Sequence, residues 1–158
     1  MQRVLLKFEG LEAVLGGARL RRATLELYQL ESPQAQGALI GLFRLKQRWQ
    51  PARGSWLFYD NDQKLPWSSG GATGEADIAA KAEATLALGG EKEAWRAFDV
   101  TSYVRDILTG KIQNNGLLLR VVNGEPNYHV RFYPAGDLEG RRDPALRPRL
   151  TLEIEEIK

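Results

Sequence analysis

Apolar and polar side chains alternate along one stretch of the chain, Ala23-Thr24-Leu25-Glu26-Leu27-Tyr28-Gln29-Leu30. Leu25 and Leu27 fall on one side of an extended backbone and Thr24 and Glu26 on the other, because successive side chains of a strand point to opposite faces. A period of two with one apolar side predicts a strand that buries that side and leaves the other in solvent.

The same alternation returns along most of the chain, and residues typical of turns separate the repeats. The run 117–122 is apolar apart from Arg120, which predicts a central buried strand. About eight short strands joined in this way predict an all-β fold, a β-sandwich. The apolar positions of the other predicted strands are Val4, Leu6 and Phe8; Leu39, Phe43 and Leu45; Ala82, Ala84, Leu86 and Leu88; Phe98 and Val100; Tyr128, Val130 and Phe132; and Leu150, Leu152 and Ile154.

One segment has helical spacing instead. Val100, Val104, Ile107 and Leu108 recur at intervals of three and four residues, and Gly110 follows where a left-handed residue often ends a helix. We expect one short helix here, closing one end of the sandwich.

Composition bounds the fold and the chemistry. A chain of 158 residues is long enough for one domain with a core and too short for two, so residues 1–158 are predicted to form a single domain. The absence of cysteine excludes disulfides, thiolate nucleophiles and cysteine-based zinc sites. A net charge of +2 is too small and too dispersed to predict nucleic acid as a partner, but it is compatible with an acidic glycan.

The beginning of the chain has no leader pattern. Val4-Leu5-Leu6-Lys7-Phe8 predicts a strand, not a basic segment followed by an apolar one, and no apolar run reaches membrane-spanning length. We therefore expect no membrane insertion. Two interpretations stay open: a domain of a longer secreted chain, or a protein exported without a leader, as a virion protein is.

Several short pieces of sequence occur together in a characteristic order. They are Leu5-Leu6-Lys7-Phe8, Arg22 to Tyr28, Trp49, Ser55-Trp56, Pro66-Trp67-Ser68-Ser69-Gly70-Gly71, Phe98-Asp99-Val100-Thr101, Asn115-Gly116-Leu117-Leu118-Leu119, Phe132-Tyr133 and Arg147-Pro148-Arg149-Leu150. Over nearly the whole chain, their order and spacing resemble the DNRLRE, or disaggregatase-related, domain family, part of which is classed as a carbohydrate-binding module family.

This resemblance implies a jelly-roll β-sandwich with a non-catalytic role. Such domains sit in large bacterial or archaeal surface and secreted proteins, some members bind acidic polysaccharides such as alginate, and similar domains occur in phage structural proteins. The chain departs from the family in lacking the usual N-terminal strand before Val4. That departure predicts an open sheet edge, which a neighbouring chain could fill by strand addition to form a homo-oligomer.

Catalysis is not expected. His129 is the only histidine and alternates with apolar residues of a predicted strand, whereas a catalytic triad would need it as the base. Ser68-Ser69-Gly70-Gly71 lacks the glycine that precedes the serine in a nucleophile elbow, and Glu153 and Glu155 fit the solvated side of the last strand.

Aromatic rings and arginines are the candidate ligand-binding residues. Aromatic rings could stack on the apolar faces of sugars if exposed, and arginines could pair with uronate carboxylates through bidentate contacts. The alternative is structural, because tryptophans of a sandwich are usually core or loop anchors, and we favour that role for Trp56 and Trp67. Arg141 and Arg142, with Arg147 and Arg149, form a basic cluster that fits a solvated loop or an anionic contact. The candidate set is Trp49, Tyr59, Trp67, Trp95, Arg120 and Arg131.

Asp60 and Asp62 are the candidate metal ligands. Their spacing matches the start of a calcium loop, but Lys64 and the absence of a closing glutamate exclude an EF-hand. A structural calcium ion held with a distant oxygen is one alternative, and a polar turn is the other. No further cofactor is expected.

Two functions follow from these observations. The first is a non-catalytic module of an extracellular or surface protein that binds a polysaccharide, with an anionic one favoured. The alternative is an assembly subunit of a virion or extracellular filament, whose partners are neighbouring protein subunits.

Overall fold

The computed structural model describes residues 3–124, 127–136 and 142–157. The strands are β1 Val4–Leu6, β2 Arg19–Gln29, β3 Leu39–Arg44, β4 Phe58–Asp60, β5 Leu65–Pro66, β6 Ala84–Ala87, β7 Ala94–Asp99, β8 Leu117–Val121 and β9 Arg149–Glu155, and the helices are α1 Leu11–Leu15 and α2 Thr101–Leu108, with a 3₁₀ turn at Pro144–Leu146.

The strands form two antiparallel sheets and a small hairpin. One sheet has four strands in the order β1-β8-β3-β6, the other has three in the order β7-β2-β9, and β4 pairs with β5. The long strand β2 is the centre of the three-stranded sheet, where Leu25 lies opposite Phe98 on β7 and Leu150 on β9. The predicted all-β sandwich with a short helix is confirmed.

One apolar core lies between the two sheets. Leu25 and Leu27 of β2 are buried with Leu42 of β3 and Leu119 of β8. Burial of each such side chain stabilises the fold by about 1.5–3 kcal/mol. The alternating pattern of residues 23–30 therefore reflects the two sides of the sheet. The apolar residues face the core, and Thr24, Glu26 and Tyr28 are half-buried on the outer side.

Helix α2 closes one end of the sandwich, as predicted. Val104 and Ile107 of this helix are buried, and Arg44, at the end of β3, connects the helix to the sheet. The Arg44 guanidinium donates to Glu83 at 2.6 Å and to Asp106 of α2 at 2.7 Å. The hydrogen bond from Arg44 lowers the pKa of the Asp106 carboxyl below its usual range.

Several elements differ from the sequence predictions, including the hairpin of β4 and β5, which was not predicted. Helix α1 was not predicted, because five residues between glycines carry too little periodicity to indicate a helix. The strand predicted over Tyr128, Val130 and Phe132 is reduced to isolated bridges, Gln29 with Phe132 and Gln34 with His129. These residues pack on the core without forming a continuous ladder.

Candidate functional site

Residues 46–82, which we call the excursion, leave the sandwich and fold back over the outer side of the four-stranded sheet. Trp49 and Trp67 are buried there at 8% and 5% exposure, in a second apolar cluster with Phe43 and Leu118 of the sheet. Their indole nitrogens are satisfied, because Trp49 donates to the carbonyl of Asn115 at 2.8 Å and Trp67 donates to that of Ser55 at 2.9 Å.

These two rings anchor the excursion to the sheet. Trp49 and Trp67, which the sequence predicted as candidate ligand-binding residues, are buried in this structure, and neither ring offers an exposed face for stacking on a sugar. Tyr59 is half-buried and meets the Trp67 ring edge-on, with ring centres 5.6 Å apart, so it supports the same anchor.

A buried carboxylate fixes the glycine-rich turn of the excursion. Asp77 is fully buried, and its two oxygens accept hydrogen bonds from the backbone N–H groups of Ser68 at 2.8 Å, Ser69 at 3.0 Å and Gly74 at 3.0 Å. The backbone of the turn is thus held by hydrogen bonds to one carboxylate and not by pairing with a neighbouring strand.

Trp56 is the tryptophan that reaches solvent from this excursion. It is 42% exposed, and its six-membered ring lies against Gly71, where a Cβ atom would come within 2.6 Å of a ring carbon. The guanidinium carbon of Arg3 lies 5.4 Å from the centre of the indole. The sequence favoured a structural role for Trp56, and no local pattern indicated its exposure.

Asp60 and Asp62 share a guanidinium in this structure. Arg53 lies 3.6 Å from a carboxylate oxygen of Asp60 and 3.3 Å from one of Asp62. The other oxygen of Asp60 caps a turn by accepting from the N–H groups of Asp62 and Gln63, both at 3.1 Å. Within residues 3–124, 127–136 and 142–157, no cluster of three or more acidic or histidine side chains could hold a metal ion.

The outer side of the three-stranded sheet carries a cation–aromatic arrangement, which we call the aromatic platform: Tyr28, Trp95 and Arg149. Tyr28 and Trp95 are cross-strand neighbours on β2 and β7, with ring centres 5.4 Å apart in an edge-on geometry. The Arg149 guanidinium carbon lies 4.1 Å from the centre of the Trp95 ring, within the range of a cation–π contact.

Glu26 holds Arg149 in place on the platform. Its carboxylate accepts from Nε at 2.9 Å and from Nη2 at 3.0 Å, and also from the Thr151 hydroxyl at 3.1 Å. The hydrogen bond from Arg149 is the main reason that the pKa of Glu26 is lowered. The Arg149 side chain is 52% exposed, and its Nη1 group has no partner within the described residues.

The candidate arginines Arg120 and Arg131 lie apart from the platform. Arg120 is on the outer side of β8, with its guanidinium carbon 5.1 Å from the Phe43 ring centre. Arg131 donates to the carbonyl of Glu31 and is exposed. Arg142 is exposed, and Arg141 lies outside the described residues. Of the six candidate ligand-binding residues, Trp95 alone belongs to the platform, where it meets Arg149 of the predicted basic cluster, so the structure does not bring the candidate set together.

Comparison with known proteins identifies no family for this chain. No protein-family model matches the chain, and no curated protein matches its sequence. The resemblance to the DNRLRE domain therefore stays a prediction from the residues quoted for it. In the part of the chain that the structure describes, no helix has the length and apolar character needed to cross a membrane.

Proposed function

We propose that the chain is a non-catalytic module that binds an acidic polysaccharide at the aromatic platform. The observation that carries the proposal is the stacking of Arg149 on Trp95 beside Tyr28, on the outer side of a sheet. Aromatic rings supply an apolar surface for sugar rings, and a guanidinium supplies donors in a fork that matches a carboxylate.

The platform is ordered before any ligand arrives. Glu26 holds two donors of Arg149, and the cross-strand register fixes Tyr28 against Trp95. Binding therefore requires little further loss of side-chain freedom, which favours affinity. The Nη1 group of Arg149 supplies the donors to a uronate carboxylate or a sugar hydroxyl.

Polar side chains extend the platform along the sheet. On the outer side, Thr24 lies opposite Asp99 on β7 and Thr151 on β9. These groups provide donors and acceptors beside the rings, as a polysaccharide chain with several hydroxyls per residue needs. An extended ligand lying over the three strands would contact both the rings and this row.

Affinity electrophoresis through gels that contain alginate, polygalacturonate or a neutral galactomannan tests the proposal. We expect the acidic polymers to retard the wild type and Trp95→Ala to weaken that retardation at least tenfold, as truncation of a central aromatic commonly does. Trp95→Ala leaves the net charge unchanged, so lost retardation would not reflect a weaker general attraction to a polyanion.

Leu57→Ala is the matched control. Leu57 is 59% exposed and lies on the excursion rather than on the platform, so its truncation should leave retardation unchanged. Equal retardation of wild type and Trp95→Ala, with both folded by thermal denaturation, would contradict the proposal.

A second function is favoured by a different observation. Within the described residues β9 pairs with β2 alone, so its seven residues leave one backbone edge unpaired, and Ile154 at this edge strand is 47% exposed. An unpaired edge of this length is a template for strand addition. We infer that assembly through β9 is the rival function, with a second copy of the chain as the partner.

A further inference from the structure

The charges of strand β9 are separated along its length. Arg149 begins the strand, and Glu153 and Glu155 lie towards its end. All three are exposed, and with Thr151 they form the row of side chains on the outer side of the sheet. An antiparallel neighbour of the same sequence would place opposite charges together, whereas a parallel neighbour would place like charges together. The strand is therefore complementary in charge to a second copy of itself in the antiparallel direction.

The apolar side of β9 is only partly covered by the chain's own core. Leu150 and Leu152 pack against the core but stay half-buried, and Ile154, the next residue in this row, is 47% exposed. Leu25, which lies opposite Leu150 on the central strand β2, is fully buried. A further strand at the unpaired edge of β9 would cover the apolar row, and the row would contribute to the free energy of association.

One register serves both rows of side chains. An antiparallel pair of β9 strands related by a two-fold axis at Leu152 pairs all seven residues of each strand. Opposite residues of an antiparallel pair point to the same side of the sheet, so Leu150 lies beside the partner's Ile154, and Arg149 lies beside the partner's Glu155. A shift of the axis by one residue would leave two of the seven residues of each strand unpaired.

This register brings a carboxylate to the aromatic platform. Within one chain, Glu26 accepts from Nε and Nη2 of Arg149, and Nη1 has no partner among the described residues. Glu155 is exposed, and its carboxylate has no hydrogen-bond or ion-pair partner in the part of the chain that the structure describes. Cross-strand neighbours have Cβ atoms about 5 Å apart, so the partner's Glu155 can accept from Nη1. This is the donor that the proposed function assigns to a uronate.

We propose that two copies of the chain pair through β9 about this two-fold axis, and that the dimer and an acidic polysaccharide exclude each other at Arg149. The partner's Glu155 takes the place of the uronate carboxylate, so the dimer is the closed state of the aromatic platform. The inference rests on both functions proposed above, because it makes assembly through β9 the regulator of sugar binding. Since such linkage is reciprocal, a ligand that binds the single chain opposes assembly.

Light scattering of the chain with trigalacturonate, or with sodium chloride at equal ionic strength, tests this competition. In chloride the mass should rise with concentration from 17.7 kDa and stop at twice that value, because a two-fold pairing closes on itself. Trigalacturonate at ten times its dissociation constant should raise the dissociation constant of the dimer about 100-fold, since both copies must release a ligand before they pair.

Glu155→Gln tests the contact itself, and Glu156→Gln is its matched control. Both substitutions remove one negative charge from an exposed position, but in the proposed register only residue 155 lies opposite the partner's Arg149. Glu155→Gln removes two ion pairs from each dimer, so it should raise the dissociation constant of the dimer about tenfold in chloride. Glu156→Gln should leave that constant unchanged.

Calorimetric titration of the same samples shows separately whether trigalacturonate binds. Binding of trigalacturonate with no change in the dimer overturns the competition and leaves both proposed functions in place. A wild type that stays at 17.7 kDa at every concentration overturns the inference because assembly fails, and the absence of binding at every protein concentration overturns it because the sugar site fails. Equal dissociation constants for the Glu155→Gln and Glu156→Gln dimers overturn the contact between Arg149 and the partner's Glu155.

Discussion

Asp77 is the side chain on which the glycine-rich turn of the excursion depends. It accepts from three backbone N–H groups in a buried position, and Asp77→Ala would leave those donors without a partner. Unsatisfied buried donors cost about 1–3 kcal/mol each, partly recovered by relaxation, so we expect a loss of about 3 kcal/mol in the free energy of unfolding. Urea denaturation followed by circular dichroism measures this change.

Asp62→Asn provides the comparison for Asp77. Asp62 is exposed, among the described residues its carboxylate contacts Arg53 alone, at 3.3 Å, and exposed pairs contribute about 0–1 kcal/mol. A loss as small for Asp77→Ala as for Asp62→Asn would mean that the turn does not rely on the buried carboxylate.

Tyr103 makes stability depend on pH in the alkaline range. Burial raises the pKa of its hydroxyl to about 12 from an ordinary value of 10.0. Above pH 10 the unfolded chain loses this proton first, so the stabilisation is complete below that pH and is lost as the pH rises to about 12. The loss is about 2–3 kcal/mol over this window.

A comparison with Tyr103→Phe isolates this loss. The variant lacks the hydrogen bonds of Tyr103 to Asn114 and Gly116 at every pH, but has no hydroxyl to ionise. We expect the difference in unfolding free energy between wild type and variant to shrink by about 2 kcal/mol from pH 9 to pH 12. A constant difference across this range, measured by urea denaturation, would contradict the burial of the hydroxyl.

The entry to strand β8 depends on one glycine. Gly116 has a φ of +88°, and a Cβ atom there would lie 2.3 Å from the backbone carbonyl oxygen of Leu6 on β1. Gly110 after helix α2 has a similar φ of +71° but open space around it. Gly110→Ala should therefore cost about 1 kcal/mol for the left-handed backbone, and Gly116→Ala about 3 kcal/mol or more.

Thermal denaturation of the two alanine variants measures these costs under one set of conditions. Because both glycines have positive φ, the comparison separates the clash with β1 from backbone strain. Equal costs for the two variants would show that β1 does not approach Gly116 as closely as the structure has it.

The regular elements were predictable because their periodicity follows burial. Leu25 and Leu27 alternate with Thr24 and Glu26 because one side of β2 faces the core, and α2 has helical spacing for the same reason. The excursion was not predictable, because its tryptophans are spaced irregularly and burial there depends on contacts with Phe43 and Leu118 on distant strands. No local pattern distinguishes buried Trp67 from exposed Trp56.

The candidate sites were predicted only in part, for a related reason. Trp95 and Arg120 were singled out by residue type, but their neighbours are set by strand register. Tyr28 and Arg149 join Trp95 through pairings between strands far apart in the sequence. A single sequence does not specify those pairings, so the partners could not be named from it.

At the scale of the whole molecule, the unpaired edge of β9 leads to a prediction about the oligomeric state. If assembly through this edge is the function, light scattering should give a mass that is a multiple of 17.7 kDa and rises with concentration. Ile154→Lys places a charge at the edge of β9, so it should lower the mass. A constant monomeric mass at all concentrations would remove this rival function.

The most direct test of the proposed function is a titration of the ¹⁵N-labelled chain with a short oligouronate, followed by amide chemical shifts. The proposal predicts shifts concentrated in β2, β7 and β9 around Tyr28, Trp95 and Arg149, including the Trp95 indole N–H, and their loss in Trp95→Ala. The absence of shifts at the aromatic platform, at ligand concentrations that saturate any weaker site, would contradict the account.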